Sequence, residues 1–482
     1  MIRKILIRCA FLVAMLIETA PASASDISEI VADIAAIRSD SGMASAWLVM
    51  VEGETTLIDQ GFGIRSWDDP RPVSDSDYYR LGSISKAFTG LALLKAEESG
   101  CLRLDAPVDE LVTTPQLTNP WAGSRPVTLA MLMEQTSGWH DMSWFEFKYN
   151  EPVTLESALA LRPDSRISLW PPGLHHSYNS SGPGMAAWVL EQACDRDFEQ
   201  FAREQVFEPM GMSSATYRKT DAVRHRLVGG YDRDPKQAIR YWNFLYRPSG
   251  ALNLQAGEMA GFLKTMIQRG RLNGNALFSV AQIERMERPT TTLAARAGMR
   301  HGYGLGVYSA IEDGRRYFAH GGDADGYLTR FGYSPESGRG FFIVITMFDH
   351  GRLRQMRQLL ERWVIAPVPR TNAPTDLPTY HPSGRDLQRL VGQYRRATTR
   401  FPRDGWNSES MQIRRRDSRL EYRIGDSGHG HGWKPLIPIG PELFRRPSDP
   451  LATVFIGESD GRIHVSGEIG NWVRVTYAAP GN

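Results

Sequence analysis

Cysteine is scarce in this sequence of 482 residues, which contains only three. So few cysteines exclude a disulfide-dense scaffold, and they form no Cys-x-x-Cys pair for structural zinc. An excess of charge is also lacking, since 56 Lys and Arg oppose 54 Asp and Glu. We therefore expect no nucleic-acid partner, because such proteins carry a large basic excess. Beyond the N-terminus, no stretch of the sequence approaches the roughly 20 apolar residues that span a bilayer.

The N-terminus has the composition of a secretion signal. A basic start, MIRKILIR, is followed by the apolar run CAFLVAMLI and by the small residues Ala22-Ser23-Ala24. The run is too short for a transmembrane helix, so we predict a signal peptide at residues 1–24 that is cleaved on export. The protein would then be periplasmic or secreted, without a transmembrane anchor. The alternative is a short membrane anchor that stays in place.

Cleavage would change both the charge and the cysteine content. It would remove three basic residues and one acidic residue, which leaves a mature chain that is formally neutral. Two cysteines, Cys101 and Cys194, would remain. An exported protein can form disulfides, but the sequence supplies no distance between these two residues, so their pairing stays open.

The hydrophobic periodicity of residues 25–366 predicts a mixture of helices and strands. Apolar residues at helical spacing predict helices, and short alternating or continuous apolar runs predict strands. We expect helices at residues 26–38, 83–99, 184–194, 256–268 and 352–364, and strands at 46–51, 55–58 and within 317–347. A terminal helix and hairpin, a helical middle and a return to strands together indicate an α+β fold.

The texture of the sequence changes after residue 366. Five prolines between positions 367 and 382 predict a stiff, extended linker over residues 367–385. Beyond the linker, residues 420–424 alternate with period two, and short strand-like runs follow at 463–465 and 472–477. Glycine and aspartate turns separate these runs, so we predict a small antiparallel β domain over residues 386–482.

The tetrapeptide Ser83-Ile-Ser-Lys86 stands at the start of a predicted helix. A spacing of three residues puts Ser83 and Lys86 on one helical face. A desolvated, deprotonated lysine there could take the proton of the serine hydroxyl and leave an oxygen nucleophile. The alternative is that Ser83 only caps an exposed helix start, and the tetrapeptide alone does not decide between them.

Several segments along the chain, taken in their order, favour a nucleophilic Ser83 over a serine that only caps a helix. They read YYRLGSISKAFTG, VTLAMLMEQTSGWHD, WPPGLHHSYNSSG, EPMGMSSATY, YGLGVY and AHGGDADGY. Together they resemble the superfamily of serine β-lactamases, penicillin-binding proteins and D-aminopeptidases, especially its class C-like branch, whose nucleophile motif is Ser-x-x-Lys. The resemblance covers roughly residues 30–365. It implies a β-lactamase/transpeptidase-like fold, with an antiparallel sheet flanked by helices and a helical region.

The resemblance implies roles for individual residues. Ser83 would be the acylated nucleophile and Lys86 its partner, and Tyr178 would stand at the position of the family's catalytic tyrosine. We expect the lysine ammonium to lower the pKa of this phenol, so that it can relay a proton. Ser180 replaces the asparagine that the family usually has two positions beyond the tyrosine, since Asn179 is displaced by one. This departure weakens the case for β-lactam hydrolysis more than the case for hydrolase activity.

A second part of the implied site lies near residue 320. His320-Gly321-Gly322 occupies the place of the Lys-Thr-Gly edge strand of penicillin-binding enzymes, with a histidine whose positive charge is not constant at neutral pH. The glycines leave room for a substrate backbone. By the same resemblance, the N–H groups of Ser83 and Asp323 would form the oxyanion hole. We expect no metal or cofactor, because the histidines and aspartates near positions 140 and 320 lack a ligand-spacing motif.

The C-terminal region carries a second, weaker resemblance. LQRLVGQYRR followed by short strands is similar to lipocalin-like β domains appended to class C-like serine hydrolases. There, such a domain can overhang the catalytic cleft, which would restrict the size of the substrate. The equally open alternative is a packing module without contact to the site.

These observations predict an exported serine hydrolase that works through an acyl-enzyme at Ser83. The expected substrates are small esters, or amides and peptides with a D-configured residue, with β-lactams a weaker option. The alternative is a non-catalytic relative of penicillin-binding proteins that recognises cell-wall peptides or lipids. The sequence carries no information on the oligomeric state.

Overall fold

The central sheet of the fold joins the two ends of the first 366 residues. The computed structural model describes residues 24–115, 117–234, 237–369, 380–401, 408–425 and 432–475. Most of the predicted signal peptide and of the proline linker lie outside these ranges. The strands are β1 Ser45–Glu52, β2 Thr55–Gly63, β3 Tyr78–Arg80, β4 Asn253–Gln255, β5 Arg271–Leu272, β6 Asn275–Ala276, β7 Tyr308–Glu312, β8 Arg315–Ala324, β9 Tyr327–Ser334, β10 Arg339–Ile345, β11 Gly392–Arg396, β12 Ser410–Arg416, β13 Arg419–Ile424, β14 Lys434–Pro438, β15 Leu443–Arg445, β16 Val454–Ser459, β17 Arg462–Gly467 and β18 Trp472–Arg474.

Most of the helices belong to the region that contains this sheet, and one, α15, packs against the C-terminal barrel. They are α1 Ala24–Asp40, α2 Ser85–Glu98, α3 Val108–Leu111, α4 Leu129–Met133, α5 Trp144–Lys148, α6 Leu155–Leu161, α7 Ser181–Cys194, α8 Phe198–Ala202, α9 Asp221–Arg226, α10 Arg247–Gly250, α11 Met259–Ile267, α12 Val280–Glu287, α13 Leu293–Arg296, α14 His350–Ile365 and α15 Gly384–Arg389.

The sheet has the antiparallel order β2-β1-β10-β9-β8-β7, so the first hairpin pairs with a strand from the far end of the domain. Strands β1 and β10 are almost fully apolar because both faces of the sheet are covered. Along β1, Trp47 and Val49 face one core, and Leu48 and Met50 face the other, as the period of two requires.

Each face packs against different helices. Helices α1 and α14 cover one face, through residues such as Ile34 and Leu360. The other face packs against α11, and the same core continues into α2 and α7. Helix α2 is buried along most of its length, which explains its apolar composition. The helix that carries Lys86 is therefore held from all sides.

Strands β11–β18 close into an eight-stranded antiparallel barrel. Alternating residues such as Met411 and Ile413 fill its interior, and Leu387 and Leu390, at and just after helix α15, pack against the same core. The predicted architecture is thus confirmed: an α+β region with an antiparallel sheet flanked by helices, followed by a small antiparallel barrel.

The structure also decides details that the sequence left open. Cys101 and Cys194 form a disulfide, with their Cα atoms 5.2 Å apart. The helix predicted from residue 83 begins at Ser85, after a 3₁₀ turn at Gly82–Ile84. Among the described residues, no helix has the length and apolar character needed to cross a membrane.

Candidate active site

A sharp turn before helix α2 presents Ser83 to a cleft. Gly82 has a φ of +55°, and a Cβ at this residue would lie 2.7 Å from the carbonyl oxygen of Asp323, so only glycine fits. The Ser85 hydroxyl donates to the Gly82 carbonyl at 2.7 Å and fixes the turn. Three residues per 3₁₀ turn still bring residues i and i+3 together, so the expected proximity of Ser83 and Lys86 survives the different helix start.

The Lys86 ammonium lies directly beside the Ser83 hydroxyl. Its Nζ is 3.1 Å from Ser83 Oγ, 2.9 Å from the carbonyl oxygen of Ser249 and 3.5 Å from Ser180 Oγ. Lys86 is fully buried. Desolvation therefore lowers the pKa of Lys86 to about 7, although the nearby carboxylate of Asp141 opposes the shift. A substantial fraction of Lys86 is then neutral at pH 7 and able to accept a proton.

Tyr178 lies over this pair but does not have the expected acidity. The Lys86 Nζ is 4.8 Å from the centre of the Tyr178 ring, and the phenol interacts with Ser83. Burial raises the pKa of Tyr178 well above its usual value, and the interaction with Ser83 opposes this only in part. The expected lowering of the Tyr178 pKa is wrong because desolvation by burial outweighs the interactions that favour the charged form. Tyr178 therefore remains a neutral phenol that can donate a hydrogen bond.

The two residues after Tyr178 have different roles: Asn179 is structural and Ser180 faces the cleft. The Asn179 side chain accepts from the Gly182 N–H at 2.7 Å and donates to the Ser177 carbonyl at 3.2 Å, so it caps helix α7. Ser180 instead lines the cleft near Lys86. The displaced asparagine therefore does not take the place of Ser180 in the cleft.

His320 lies on strand β8 and is neutral. Its Nδ1 is 2.5 Å from the Gly321 carbonyl, which can only accept, so Nδ1 carries the proton and Nε2 accepts from the Tyr303 hydroxyl at 2.7 Å. Burial, with Lys86 nearby, lowers the pKa of His320 to about 3. The positive charge that a histidine could supply here is therefore absent at neutral pH.

Strand β8 offers a free edge to the cleft. Its pairing with β7 ends at Ala319, so residues 320–324 extend beyond that strand. Gly321 is open, since a Cβ there would meet atoms only at 3.6 Å or more, whereas a Cβ on Gly322 would lie 1.9 Å from the Leu81 carbonyl oxygen. This close packing brings the backbone of Asp323 against the turn that carries Ser83, and the Asp323 side chain lies 3.7 Å from His350.

The cleft has a volume of about 630 Å³ and two different walls. We call the first the serine wall; it consists of Ser83, Tyr178, Ser180, His320, Gly321 and Asp323 with Lys86 behind them. We call the second the barrel wall; it is formed by Arg400, Ser466, Gly467, Glu468 and Asn471 from the C-terminal barrel. The structure thus decides the open question about this domain: it lines the cleft.

Several residues that contact the cleft or its catalytic side chains were not predicted from the sequence. Arg400 Nε and Nη2 each lie 2.8 Å from Asp141 Oδ2, although the two residues are 259 positions apart. Ser249, whose carbonyl accepts from Lys86, and Tyr303, which holds His320, also come from distant segments. Of these, Asp141 and Tyr303 stood in quoted motif segments, but neither the burial of Asp141 nor the contact of Tyr303 with His320 could be read from the sequence.

Comparison with known proteins agrees with this geometry. The family described as Beta-lactamase matches residues 27–362, well over half of the chain. The chain belongs to the β-lactamase family. This confirms the resemblance seen in the motifs and places the chain among the β-lactamase/transpeptidase-like serine hydrolases.

Individual members of the β-lactamase family are similar to this chain at low identity. The human protein named putative beta-lactamase-like 1 is 26% identical over 322 residues, covering 63% of this chain and 61% of its own length. The D-alanyl-D-alanine-carboxypeptidase/endopeptidase AmpH of Escherichia coli K12 is 25% identical over 370 residues, which are 70% of this chain and 88% of the relative. The chain spans only 36–61% of the length of three curated relatives that it matches.

A solved structure shares the fold over nearly the whole chain. The octameric penicillin-binding protein homologue from Pyrococcus abyssi superposes with a TM-score of 0.60 at 20% identity, covering 93% of this chain and 100% of that one. At this identity the likeness establishes the fold alone.

Proposed function

We propose that this β-lactamase family member is an exported serine hydrolase that forms an acyl-enzyme at Ser83. The contact of Lys86 Nζ with Ser83 Oγ at 3.1 Å is the observation that carries the proposal. A buried lysine with a pKa of about 7 is a base suited to neutral pH.

The proposed reaction has two steps. The Ser83 oxygen attacks the carbonyl carbon of the substrate while its proton passes to Lys86 Nζ, and the bond to the leaving group breaks as Lys86 gives this proton to the leaving group, directly or through Tyr178. Water then attacks the acyl carbon and gives a proton to neutral Lys86, which passes it to the Ser83 oxygen as the bond to the acyl group breaks. The Ser83 and Asp323 N–H groups are the proposed donors to the oxyanion, supported by the close approach of the Asp323 backbone to Gly82, which precedes Ser83.

The charges around the cleft favour neutral substrates. His320 is uncharged, and the two arginines that line the described cleft are both paired, Arg330 with Glu361 and Arg400 with Asp141. A carboxylate next to the scissile bond would therefore lack an unpaired arginine partner at this surface. We accordingly propose small esters and amides, including those of D-configured residues, before β-lactams and before peptides with a free terminal carboxylate.

The open edge of β8 supports substrates with a peptide-like backbone. Residues 320–324 present unpaired strand positions beyond β7, and Gly321 leaves room for a chain to lie alongside. An amide or short peptide could add to this edge with its carbonyl directed at Ser83. The barrel wall limits the length of such a substrate on the opposite side.

Covalent capture tests the proposal. We expect a fluorophosphonate probe to label the wild-type protein at Ser83, located by peptide mass spectrometry, and Ser83→Ala to remain unlabelled. A panel of nitrophenyl esters, D-amino acid amides and a chromogenic cephalosporin then ranks the substrate classes. Equal labelling of the wild type and Ser83→Ala, or none of the wild type, would contradict the proposal and favour a binding function.

A further inference from the structure

A loop of the C-terminal barrel makes hydrogen bonds to the segment that carries Tyr178 and Ser180. It follows strand β11 and includes Thr398, Thr399 and Arg400. The Ser177 hydroxyl donates to the Thr399 carbonyl at 3.1 Å, across 222 positions of sequence. The Asn471 side chain, also from the barrel, donates to the His176 carbonyl at 2.8 Å. The barrel thus contacts the backbone immediately before Tyr178.

The strongest of these contacts between the barrel and the hydrolase region is an ion pair with a buried carboxylate. Asp141 is fully buried, and its Oδ2 accepts from Arg400 Nε and Nη2 at 2.8 Å. The Asp141 N–H in turn donates to the Arg400 carbonyl at 2.8 Å. Both guanidinium donors converge on this one oxygen, and charge-assisted hydrogen bonds of this kind are stronger than neutral ones.

The other carboxylate oxygen of Asp141 continues the connection into the serine wall. Oδ1 accepts from the N–H of Ser180 and from the N–H of Met142, both at 2.8 Å. The Arg400 guanidinium itself lies 4.8 Å from the centre of the Tyr178 ring. Arg400 therefore reaches the candidate proton-transfer group directly and the neighbouring Ser180 through one carboxylate.

We propose that Arg400 is a positioning residue of the active site, supplied by the C-terminal barrel, and that it holds Tyr178 by direct contact and Ser180 through Asp141. The site is then complete only when barrel and hydrolase region are docked. This inference rests on the proposed function for its catalytic consequence, but the positioning itself is a structural claim that can be tested without activity.

The ion pair also sets the charge around Lys86. The groups that face its ammonium are Asp141, Asp323, Arg400, Tyr178 and His320. Asp141 and Asp323 raise the pKa of Lys86, and Arg400 lowers it, whereas Tyr178 and His320 are neutral at pH 7. Loss of Arg400 alone would leave the charge of Asp141 uncompensated and make Lys86 a stronger base that is protonated at higher pH.

Hydrogen exchange measured by mass spectrometry tests the positioning. We expect Arg400→Ala to lose protection in peptides covering residues 175–181, while peptides of β9 and β10 keep theirs. The matched control is Arg125→Ala, which removes another ion pair between the two regions, with Asp460 at 3.2 Å, away from the cleft. The control should keep wild-type exchange at residues 175–181.

The rate and pH profile of Ser83 labelling test the catalytic consequence. Misplacement of the reacting groups by about 1 Å can cost roughly 100-fold in rate, and we expect a loss of this order in Arg400→Ala. The acid limb of the profile should also move to higher pH. In the double variant Asp141→Asn, Arg400→Ala, no charge is left uncompensated, so the limb should return towards the wild-type position while the rate stays low.

The outcomes separate the two claims. Unchanged exchange at residues 175–181 in both Arg400→Ala and the double variant would overturn the positioning role. Equal labelling rates and equal pH profiles in Arg400→Ala and Arg125→Ala would overturn the catalytic consequence. If the wild type is not labelled at all, the proposed function fails, and the exchange experiment still decides on Arg400.

Discussion

The two walls of the cleft are held by different forces. In the serine wall, backbone carbonyls and an apolar core fix the reactive groups, as with Lys86 against Ser249 and Gly322 against Leu81. The barrel wall is held by charged and titratable groups, such as His301 with Glu468 at 2.5 Å. Packing changes should therefore act mainly on the first wall, whereas acid should act on buried histidines in both, on His320 in the first and on His175 with His464 in the second.

The largest effect is expected from the loss of the Lys86 amine, which lies behind the serine wall. In Lys86→Met, a side chain of similar length fills the same space without an amine, so the structure should be retained while proton transfer from Ser83 is lost. We expect labelling of Ser83 to slow by about 10²–10⁴-fold, the usual contribution of a general base. The rate of labelling at pH 7.5 measures this. A near wild-type rate would show that another group takes the proton.

A packing change on the same wall should be next in size. In Gly322→Ala, the new Cβ would lie 1.9 Å from the Leu81 carbonyl oxygen, so strand β8 and the Ser83 turn must separate. We expect a loss of about 1–3 kcal/mol in the free energy of unfolding, as is typical of overpacking.

The adjacent glycine supplies the control. In Gly321→Ala, the new Cβ would meet atoms only at 3.6 Å, so the stability should stay close to that of the wild type. Denaturant unfolding of the two variants measures the difference. Equal stability of both would mean that the close packing of β8 on the turn does not hold the serine wall.

The smallest expected effect is a loss of stability of the barrel wall in acid. His175 is fully buried; its Nδ1 lies 2.9 Å from Ser466 Oγ and its Nε2 lies 3.0 Å from His464 Nδ1. His464 Nε2 in turn donates to the Ser459 carbonyl, so this chain is satisfied only when both histidines are neutral.

The sign of the pH effect follows from the direction of the shift. Burial lowers the pKa of His175 from 6.5 to about 3, so the unfolded state binds more protons between these values. Stability is then full above about pH 6.5 and falls as the pH decreases, by about 1.4 kcal/mol at pH 5.5. Hydrogen exchange at pH 7.5 and 5.5 should show a loss of protection in β17 and not in β10. Equal losses in both strands would show that acid acts on the whole fold and not locally on the barrel wall.

The part of the site that the sequence predicts is local. Ser83 and Lys86 are three residues apart, so any helical or 3₁₀ turn brings them together. The alternation of β1 and the barrel strands likewise reflects periodicity within single segments. Tyr178 and His320 could be named only through the resemblance to a family, because their proximity to Ser83 depends on the tertiary fold.

The remainder depends on burial and on contacts across the chain. The sequence suggested a lowered pKa for Tyr178 and, for His320, a positive charge that is not constant at neutral pH, but burial keeps both groups neutral. Arg400 lies 259 positions beyond Asp141, in a different region, and no local pattern indicates that the two meet. The pairing of Cys101 with Cys194 was inaccessible for the same reason.

The pH dependence of Ser83 acylation tests the central claim most directly. If neutral Lys86 takes the proton of Ser83, the rate of fluorophosphonate labelling should rise with pH through a single midpoint at about 7, the pKa that burial gives to Lys86. In Lys86→Met this midpoint should disappear. A wild-type rate that is constant between about pH 5 and 9, or a midpoint that persists in Lys86→Met, would contradict the account.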